Sequence, residues 1–397
     1  MPASLRKIDE TRTMFIPAIV KMMTEVEEDM DTWAEATEEK DSNSTDPFNT
    51  AVNAINRLST DLGEKTILAP CTAMIQTLVK SADWKERQAG YMLMGLIAEA
   101  CKDSMMKNMS EAMQLACIGV VDPDTRVRHA GLSCLALLLT ELAPKAQKKY
   151  HQELMPVLLK MMDTEPLLKM KTHAVSTTIN FVKGLLEGDE EEEENSTANS
   201  KIMESYQVTL FEYIVALLGK ALSENYEPLQ EEVMSLLSVV ASLIEGAFSS
   251  YFNNLIPLMM QILNNVGTAN MQQMTLRART IEAMGYMIEA VAQSPEKNTF
   301  TPAVLEITKI LGGLLGSGLT NDDPQVTSIK ETLSKIAFFL KEDFQQFMPS
   351  IMPQLLEDTK LKIDIKLENA DLPTTSSKKV EEGTSGLTFK MKGFEGN

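Results

Sequence analysis

The sequence predicts an all-α protein in which pairs of antiparallel helices stack into a right-handed α-solenoid. Three observations support this fold class: apolar residues recur at helical spacing, proline recurs at a near-constant interval, and Asp-Pro or Glu-Pro steps separate apolar helical runs. The stretch from Leu115 to Leu139 illustrates the unit, because Asp122-Pro123-Asp124 ends one apolar helix and Thr125 begins another. A single helical hairpin cannot bury its apolar face alone, so the pattern has to recur along the chain.

The recurrence has a period of about 45 residues, which is the range of HEAT repeats. Prolines lie one turn inside apolar helical starts at Pro17, Pro70, Pro156, Pro257, Pro302 and Pro349. Their intervals are 53, 86, 101, 45 and 47 residues, where 86 is twice 43 and 101 is two units lengthened by an acidic insertion. The starts of the second helices recur as well, at DWKERQAG, DPDTRVRHAG, EPLLKMKT, EPLQEEVM and DPQVTSIK. An acidic residue before each start is expected near the helix N-cap. The sequence therefore predicts about seven to eight HEAT repeats with two acidic insertions.

The predicted elements follow from this pattern, and the second helices are expected on the concave side of the array. First helices are expected near 13–26, 65–80, 110–121, 152–162, 202–222, 251–264, 301–315 and 345–358. Second helices are expected near 46–62, 84–102, 125–142, 167–186, 228–247, 271–292 and 324–340. The array spans 1–362, with acidic insertions at 25–46 and 187–200, and a loosely ordered tail with one strand-like patch follows at 363–397. The abundant methionines and leucines are assigned to the core.

Composition narrows the possible functions. The formal net charge of −19 argues against nucleic acid and anionic membranes as partners and favours basic protein segments. The four cysteines lie singly in apolar helical runs, which indicates buried thiols in a reducing compartment rather than a zinc site. No apolar run approaches the roughly 18 residues of a membrane span, and no targeting motif is visible.

Catalytic patterns are absent from the sequence. His129, His151 and His173 reflect a repeat position rather than a ligand pair, and no Ser or Cys nucleophile has a partner in a motif. The glycines between Gly312 and Gly318 lack the Lys-Ser/Thr of a phosphate loop, so they are interpreted as a helix end and turn before Asp323. We expect no enzyme activity, no metal and no cofactor.

Several motifs resemble one family of proteins. SADWKERQAGYMLMGLIAEAC, VVDPDTRVRHAG, QKKYHQELMPVLLKMM, LRARTIEAMG, NDDPQV and FLKEDFQQFMPSIMPQLL, in this order, are similar to successive repeats of the importin-β superfamily of nuclear transport receptors, in the importin-5 (karyopherin β3) branch. The resemblance covers nearly the whole chain and implies the central HEAT-repeat portion of a longer receptor. The N-terminal third, which carries the main Ran-GTP-binding repeats in the family, and the C-terminal third would lie outside it.

The resemblance implies a function and partners. A nuclear import receptor would bind basic nuclear-localisation signals of cargo on its concave face, release them when Ran-GTP engages the array, and contact phenylalanine-glycine nucleoporins while shuttling between cytoplasm and nucleus. Convex grooves lined by Phe15, Phe211, Tyr213 and Met260 are candidates for the nucleoporin contact, although core packing explains the same residues. The interpretation includes no direct contact with nucleic acid, no membrane insertion, and a monomeric state.

Candidate cargo-binding residues lie on the second helices. A single acid recurs near the end of several of them, at Glu99, Glu141, Glu245 and Glu289, where it opposes the helix dipole and therefore needs a compensating reason. A row of carboxylates for Lys and Arg of cargo is such a reason, and ordinary solvated positions are the alternative. Glu282 joins them on a polar stripe, and the Asn180 amide could hold an extended peptide backbone.

The two acidic insertions are considered separately. Residues 25–46 resemble the acidic, tryptophan-bearing insertion of this branch, and the candidate residues there are Glu27, Glu28, Asp29, Asp31 and Trp33. Residues 187–200 depart from the family pattern in their length. Both insertions are expected to be disordered when unbound, because dense like charge cannot offset chain entropy, although Trp33 could anchor the first by packing on a neighbour. They either guide or compete with basic segments and Ran, or are solvated linkers.

Two other functional classes remain open. A HEAT-repeat scaffold of a phosphatase or ubiquitin-ligase assembly would have more regular repeats with few long acidic insertions. A chromatin or cytoskeletal solenoid would normally carry basic patches, so the net charge of −19 counts against it.

Overall fold

The fold is described from a computed structural model, which covers residues 10–36, 46–186, 193–320, 322–358, 365–367 and 389–391. The α-helices are α1 Ile16–Met22, α2 Met30–Glu35, α3 Pro47–Leu62, α4 Glu64–Leu78, α5 Trp84–Leu96, α6 Lys102–Lys107, α7 Met109–Val120, α8 Thr125–Glu141, α9 Lys145–Thr164, α10 Leu168–Leu186, α11 Glu193–Glu204, α12 Gln207–Ser223, α13 Glu227–Ile244, α14 Ser249–Asn265, α15 Met271–Ala292, α16 Thr301–Leu315, α17 Pro324–Leu340 and α18 Met348–Asp358. A π-helical turn, Thr11–Phe15, precedes α1, and 3-10 turns lie at Glu245–Phe248, Lys297–Thr299 and Lys341–Phe347.

The helices pair into successive hairpins, as the sequence predicts for an all-α solenoid. The first helix packs on the second in α1/α3, α4/α5, α7/α8, α9/α10, α12/α13, α14/α15 and α16/α17, and α18 follows as a further first helix. Adjacent second helices contact each other far more extensively than adjacent first helices do. The second helices therefore form the inner layer of the array, and one continuous apolar core runs between the layers from Ile16 to Ile351.

In the hairpin that contains Asp122 and Pro123, the backbones of α7 and α8 approach each other closely. A Cβ atom added at Gly131 on α8 would lie 2.4 Å from the carbonyl carbon of Gly119 on α7. Because main-chain atoms cannot move aside as a flexible side chain can, only glycine fits at this helix crossing.

The predicted capping by acids is confirmed at some second helices and wrong at two, because Glu227 is the first residue of α13 and Glu165 instead pairs with Arg128. The carboxylates of Asp46, Asp83, Asp124 and Asp323 accept hydrogen bonds from backbone N–H groups in the first turns of α3, α5, α8 and α17. In the Asp122-Pro123-Asp124 step the cap is Asp124, and Asp122 instead receives the Arg87 guanidinium at 2.8 Å.

Cations near the start of the second helices connect one repeat to the next. Arg87 donates to the carbonyls of Ser81 and Ala82 and to Asp122. Arg128 repeats this arrangement with the carbonyls of Asp122 and Pro123 and with Glu165. These side chains satisfy backbone acceptors left by the preceding helix and pair with a carboxylate of the following repeat.

Two later second helices also carry a cation that donates to carbonyls at the end of the preceding helix. The Lys171 ammonium donates to the carbonyls of Met162 and Asp163, and burial lowers the Lys171 pKa. The buried Arg277 donates to the Leu263 and Val266 carbonyls and to Gln325. The contacts between repeats are therefore polar as well as apolar.

Several predicted boundaries differ from the structure. Pro70, Pro156 and Pro257 lie well inside α4, α9 and α14 rather than one turn from their starts. The helices continue past them because neighbouring repeats pack against these segments, which offsets the missing N–H and the steric clash. The second helix expected over 84–102 ends at Leu96 and is followed by turns.

The expected disorder of the insertions is wrong for part of each. Residues 25–36 include α2 and pack on the second helices, and α11 covers residues 193–204, with the Asn199 amide donating to the Leu185 carbonyl at 2.8 Å. Residues 37–45 and 187–192 lie outside the described residues. The tail is described only at two short antiparallel strands, β1 Ile365–Leu367 and β2 Phe389–Met391, the second of which lies in the strand-like patch.

One described segment, Glu227–Asn265, has the length and apolar composition of a membrane span. It consists of α13, a 3-10 turn and α14, and more than half of its most apolar window is buried. Its helices pack against α10 and α15, as core helices do.

Candidate protein-interaction surface

The second helices run in the same direction, so the inner layer has two distinct edges. At one edge their first turns meet, where Arg277 of α15 contacts Gln325 of α17. At the other edge their last turns meet, where Glu289 of α15 pairs with Lys335 of α17. We call these the N-terminal edge and the C-terminal edge. A helix of 17 residues is about 25 Å long, so the edges are well separated.

The C-terminal edge carries the four acids that the sequence singles out. Glu99 is exposed in the turn after α5, and Glu141 is the last residue of α8. Glu245 is exposed at the end of α13, and Glu289 is exposed in the last turn of α15. All four therefore lie where an acid opposes the helix dipole.

Some of these acids already have cationic neighbours. Glu141 lies 3.8 Å from Lys102, and Glu289 pairs with Lys335, which also sits over the Tyr286 ring at 4.1 Å. Glu99 and Glu245 form none of the ion pairs found among the described residues. A cationic ligand would therefore meet open carboxylates at some repeats and would exchange with a lysine at others.

The remaining two candidates lie away from the helix ends. Glu282 is half-buried in the middle of α15 and pairs with Arg279 at 3.0 Å, one turn before it. Asn180 is half-buried on α10. The six candidates thus occupy one layer, but they do not form a single cluster.

Glu245 has an additional structural feature. Its backbone φ is 43°, in the left-handed region that favours glycine, and it ends α13 as the chain turns into the next repeat. Lys341 has φ 51° at the corresponding end of α17. Strain at these positions belongs to the turn between repeats and does not by itself indicate a binding role.

The N-terminal edge is covered by part of the first insertion. Residues 25–36, which we call the strap, leave α1, cross the starts of α5, α8 and α10, and contain the short helix α2. The Asp29 carboxylate caps α2 by accepting from the backbone N–H and the hydroxyl of Thr32, both at 2.8 Å. These hydrogen bonds lower the Asp29 pKa.

One cation from each of three consecutive second helices holds the strap. Lys85 on α5 pairs with Glu28, and this hydrogen bond lowers the Glu28 pKa. The Arg126 guanidinium on α8 donates to the Glu28 carbonyl at 2.8 Å and to the Glu27 carbonyl at 3.3 Å. Lys85 and Arg126 therefore both bind the first half of the strap. Lys85 binds the Glu28 carboxylate, and Arg126 binds main-chain carbonyls.

The third cation is Lys169 on α10. Its ammonium donates to the carbonyls of Trp33 and Ala36 at 2.9 and 2.8 Å, which are acceptors left open at the end of α2. The three cations are spaced 41 and 43 residues apart in the sequence, at one position of the repeat.

Aromatic groups complete the contact between the strap and the second helices. Trp33 is 9% exposed, lies 4.6 Å from the Lys169 ammonium and packs edge-on against His129, with ring centroids 5.4 Å apart. His129 stacks on His173 at 4.1 Å. Trp84, at the start of α5, carries the Arg126 guanidinium 3.5 Å above its ring. The predicted anchoring by Trp33 is therefore confirmed, and Trp84 supports a cation as well as a helix start.

Burial makes His129 a neutral side chain. Desolvation, followed by the nearby His173 and Lys169, lowers its pKa well below the ordinary value of 6.5. Its Nε2 atom is buried without a hydrogen-bond partner among the described residues. An imidazolium at this position would be poorly solvated and close to another cation.

A groove on the convex side lies between α14 and α16. It has a volume of about 580 Å³ and is lined by Met260, Ile256, Pro257, Ala303 and Ile310, with polar residues at its rim. Of the residues proposed for nucleoporin contact, Phe15 is exposed, Tyr213 is half-buried and Phe211 is buried against Phe248 and Tyr251. Phe211 therefore belongs to the core.

Histidines and cysteines do not gather into a metal site within the described ranges, where no group of three or more His, Cys, Asp or Glu side chains could hold an ion. Cys71, Cys101 and Cys134 are buried and Cys117 is half-buried, all as free thiols. Burial raises the pKa of Cys101 to about 11, so this thiol is unreactive.

An array of helix pairs with an inner layer of polar edges belongs to the class of HEAT-repeat α-solenoids, which present extended surfaces to protein partners. Residues 1–69 match the family described as Importin repeat. Importin subunit beta-3 of Saccharomyces cerevisiae is 26% identical over 348 residues, which are 87% of this chain and 30% of the relative.

Solved structures show the same fold. Kap121p superimposes with a TM-score of 0.77 at 23% identity, covering 91% of this chain and 32% of Kap121p. Kap121p bound to RanGTP gives a TM-score of 0.70 at 24% identity, covering 91% and 33%, and Kap121p bound to Pho4p gives 0.75 at 22%, covering 91% and 32%. The resemblance to the importin-5 (karyopherin β3) branch is confirmed, and the chain spans about a third of the length of these relatives.

Proposed function

We propose that the chain is part of a nuclear import receptor that binds basic nuclear-localisation segments of cargo along its second helices, with release coupled to Ran-GTP. The observation that carries the proposal is the row of acids at the C-terminal edge, at Glu99, Glu141, Glu245 and Glu289. Their helix ends already carry the negative pole of the helix dipole, so a cationic segment gains from both charges. The net charge of −19 favours the same class of partner.

The relatives support the class of partner. Kap121p has been solved bound to Pho4p and to RanGTP, and its fold superimposes on this chain. We propose the same two kinds of partner, a protein such as Pho4p and RanGTP, for the receptor of which this chain is part. The receptor then moves between cytoplasm and nucleus, and the convex groove at Met260 is the candidate contact for phenylalanine-glycine nucleoporins.

Release follows from coupled binding. If Ran-GTP and cargo favour different curvatures of the array or overlap on its inner layer, each weakens the other by the same factor. The exposed carboxylates of the strap, at Glu27, Asp31 and Glu35, extend the acidic surface toward the N-terminal edge and are placed to guide a basic segment.

Calorimetry tests the proposal. A lysine-rich nuclear-localisation peptide is titrated into the chain at two salt concentrations, and into a variant with Glu99, Glu141, Glu245 and Glu289 changed to Gln. Exposed ion pairs contribute about 0.2–1 kcal/mol each, so the four changes should weaken binding about tenfold or more. Binding should also weaken with salt.

A matched control separates position from total charge. Four of the exposed acids on the first helices are Glu111, Glu153, Glu212 and Glu306, and changing these to Gln alters the net charge equally. Equal losses in both variants would indicate a nonspecific charge effect and reject the C-terminal edge. Absence of binding to the folded chain would reject cargo capture by this part of the receptor.

A further inference from the structure

The N-terminal edge carries more cations than the fold requires. Each of three consecutive second helices begins with two cations separated by one residue: Lys85 and Arg87, Arg126 and Arg128, Lys169 and Lys171. The second cation of each pair caps the preceding helix within its own repeat, and in the first two repeats it also reaches a carboxylate of the following repeat. The first cation of each pair instead contacts the strap.

The positions of these first cations are locally unfavourable. A cation in the first turn of a helix lies at the positive pole of the helix dipole. Lys169 is also 9% exposed, and a buried ammonium requires acceptors. Arg126 also pairs with the N-cap Asp124 at 3.1 Å. The strap adds carbonyls to Arg126 and Lys169 and a carboxylate to Lys85, so the three cations form a site for negative ligand groups.

The chemistry of the strap defines what this site accepts. Glu28 supplies a carboxylate to Lys85, main-chain carbonyls at the ends of the segment meet Arg126 and Lys169, and Trp33 fills the space beside His129. The arrangement therefore selects an acidic linear segment with a tryptophan five residues after the first paired acid.

We propose that Lys85, Arg126 and Lys169, with Trp84 and His129, form a binding site for an acidic, tryptophan-bearing segment of a partner protein, and that the strap is the ligand that fills it within the chain. This site has the opposite charge preference to the C-terminal edge and does not rest on the proposed import function. Because the strap is tethered, its effective concentration is in the millimolar range, so a partner segment enters only when the strap is lifted.

A peptide experiment tests the site. Residues 25–36 are replaced by a Gly-Ser linker of equal length, and a fluorescent peptide of sequence EVEEDMDTWAEA is added while its anisotropy is measured. The peptide should bind the strapless chain at least tenfold more tightly than the intact chain, and binding should weaken with salt. A peptide with Glu28→Gln and Trp33→Ala should bind at least tenfold more weakly.

Two substitutions in the strapless chain identify the surface. Lys169→Gln should weaken peptide binding at least tenfold. Lys335→Gln is the matched control, because Lys335 also pairs with an acid and contacts an aromatic ring but lies far from the strap. Its effect should stay within twofold. Equal loss in both, or equal peptide binding by intact and strapless chains, would overturn the proposal.

A second measurement keeps the strap in the chain and replaces Trp84 with another aromatic residue, so the result does not depend on folding of the strapless chain. Trp33 and Trp84 are the two tryptophans of the chain. In a Trp84→Phe variant, Trp33 emission should be shielded from iodide, and Lys169→Gln should increase its quenching at least threefold while Lys335→Gln does not. A Trp33 that is freely quenched in the starting variant would show an empty site and contradict the proposal.

Discussion

The two edges of the inner layer carry charges of opposite sign, and at both edges the charges oppose the helix dipole. At the C-terminal edge, acids lie at the negative end of their helices and several remain open to solvent. At the N-terminal edge, cations lie at the positive end, and the chain covers them with its own strap. Charges that oppose the helix dipole thus mark both surfaces, but only the N-terminal edge is covered by a segment of the same chain. Four predictions test this difference.

The largest expected effect comes from Trp33→Ala. Loss of a buried tryptophan side chain should lower the free energy of unfolding by about 3–5 kcal/mol, if the strap unfolds together with the array. Chemical denaturation followed by circular dichroism measures it. Phe338→Ala is the control, because Phe338 is 69% exposed at the C-terminal end of α17 and its loss should matter little. Equal effects would contradict an ordered strap.

Substituting Arg128 and substituting Arg126 should have different effects on stability and on proteolysis of the strap. Arg128→Met leaves Glu165 and two carbonyls without their partner and should lower the free energy of unfolding by about 2–4 kcal/mol. Arg126→Met should cost less stability but should increase proteolysis within residues 25–36, because Arg126 contacts the strap. Denaturation and limited proteolysis of both variants measure this. Identical behaviour would show that the cations do not have separate roles.

The free energy of unfolding should decrease as the pH falls, because burial keeps His129 neutral in the folded chain. Its pKa is lowered in the folded chain, so the stabilisation is fully present above the ordinary value of 6.5 and is lost as pH falls below it. The groups facing it are His173 and Lys169 from α10, Trp33 from the strap, and Ser133, which bonds His173. The slope should reach about 1.4 kcal/mol per pH unit.

Denaturation at several pH values between 5 and 7 measures this slope, and His129→Gln should reduce it. His151→Gln is the control, since His151 bonds Tyr206 away from the strap. An unchanged slope in the His129 variant would refute the assignment.

The smallest effect is expected at the C-terminal edge. The Glu289 side chain is 51% exposed, so its ion pair with Lys335 is screened and Glu289→Gln should change the unfolding free energy by less than about 0.5 kcal/mol. The same variant should weaken binding of a lysine-rich peptide. A large loss of stability would show that this edge is structural rather than available to ligands.

A structural feature could be predicted from the sequence where the residues that cause it lie close together in the chain. The helix pairs were predictable because apolar spacing and the N-caps at Asp83, Asp124 and Asp323 act within a few residues. The acids of the C-terminal edge could also be found, because an unfavourable charge at a helix end is visible in the sequence. Whether Glu289 is already paired could not be found, since Lys335 lies in the next repeat.

The order of the strap could not be predicted from its composition. Locally it is a run of like charges, which indicates disorder. Its partners Lys85, Arg126 and Lys169 lie 57, 98 and 136 residues from the groups that they contact. A signal was nevertheless present in the sequence. In three repeats a Lys or Arg stands two residues before the cation that caps the preceding helix, although the chain as a whole is acidic. The same argument about helix ends, applied to cations, would have found it.

The strap also changes how the repeats of the array unfold. In an ordinary solenoid each repeat touches only its neighbours, so stability is a sum of nearest-neighbour terms and repeats can unravel from either end. Here the first hairpin is linked through residues 25–36 to the second, third and fourth hairpins. This third-neighbour coupling closes a loop in an otherwise linear chain of contacts. The first four repeats should therefore behave as one cooperative block, and fraying should begin at the opposite end of the array.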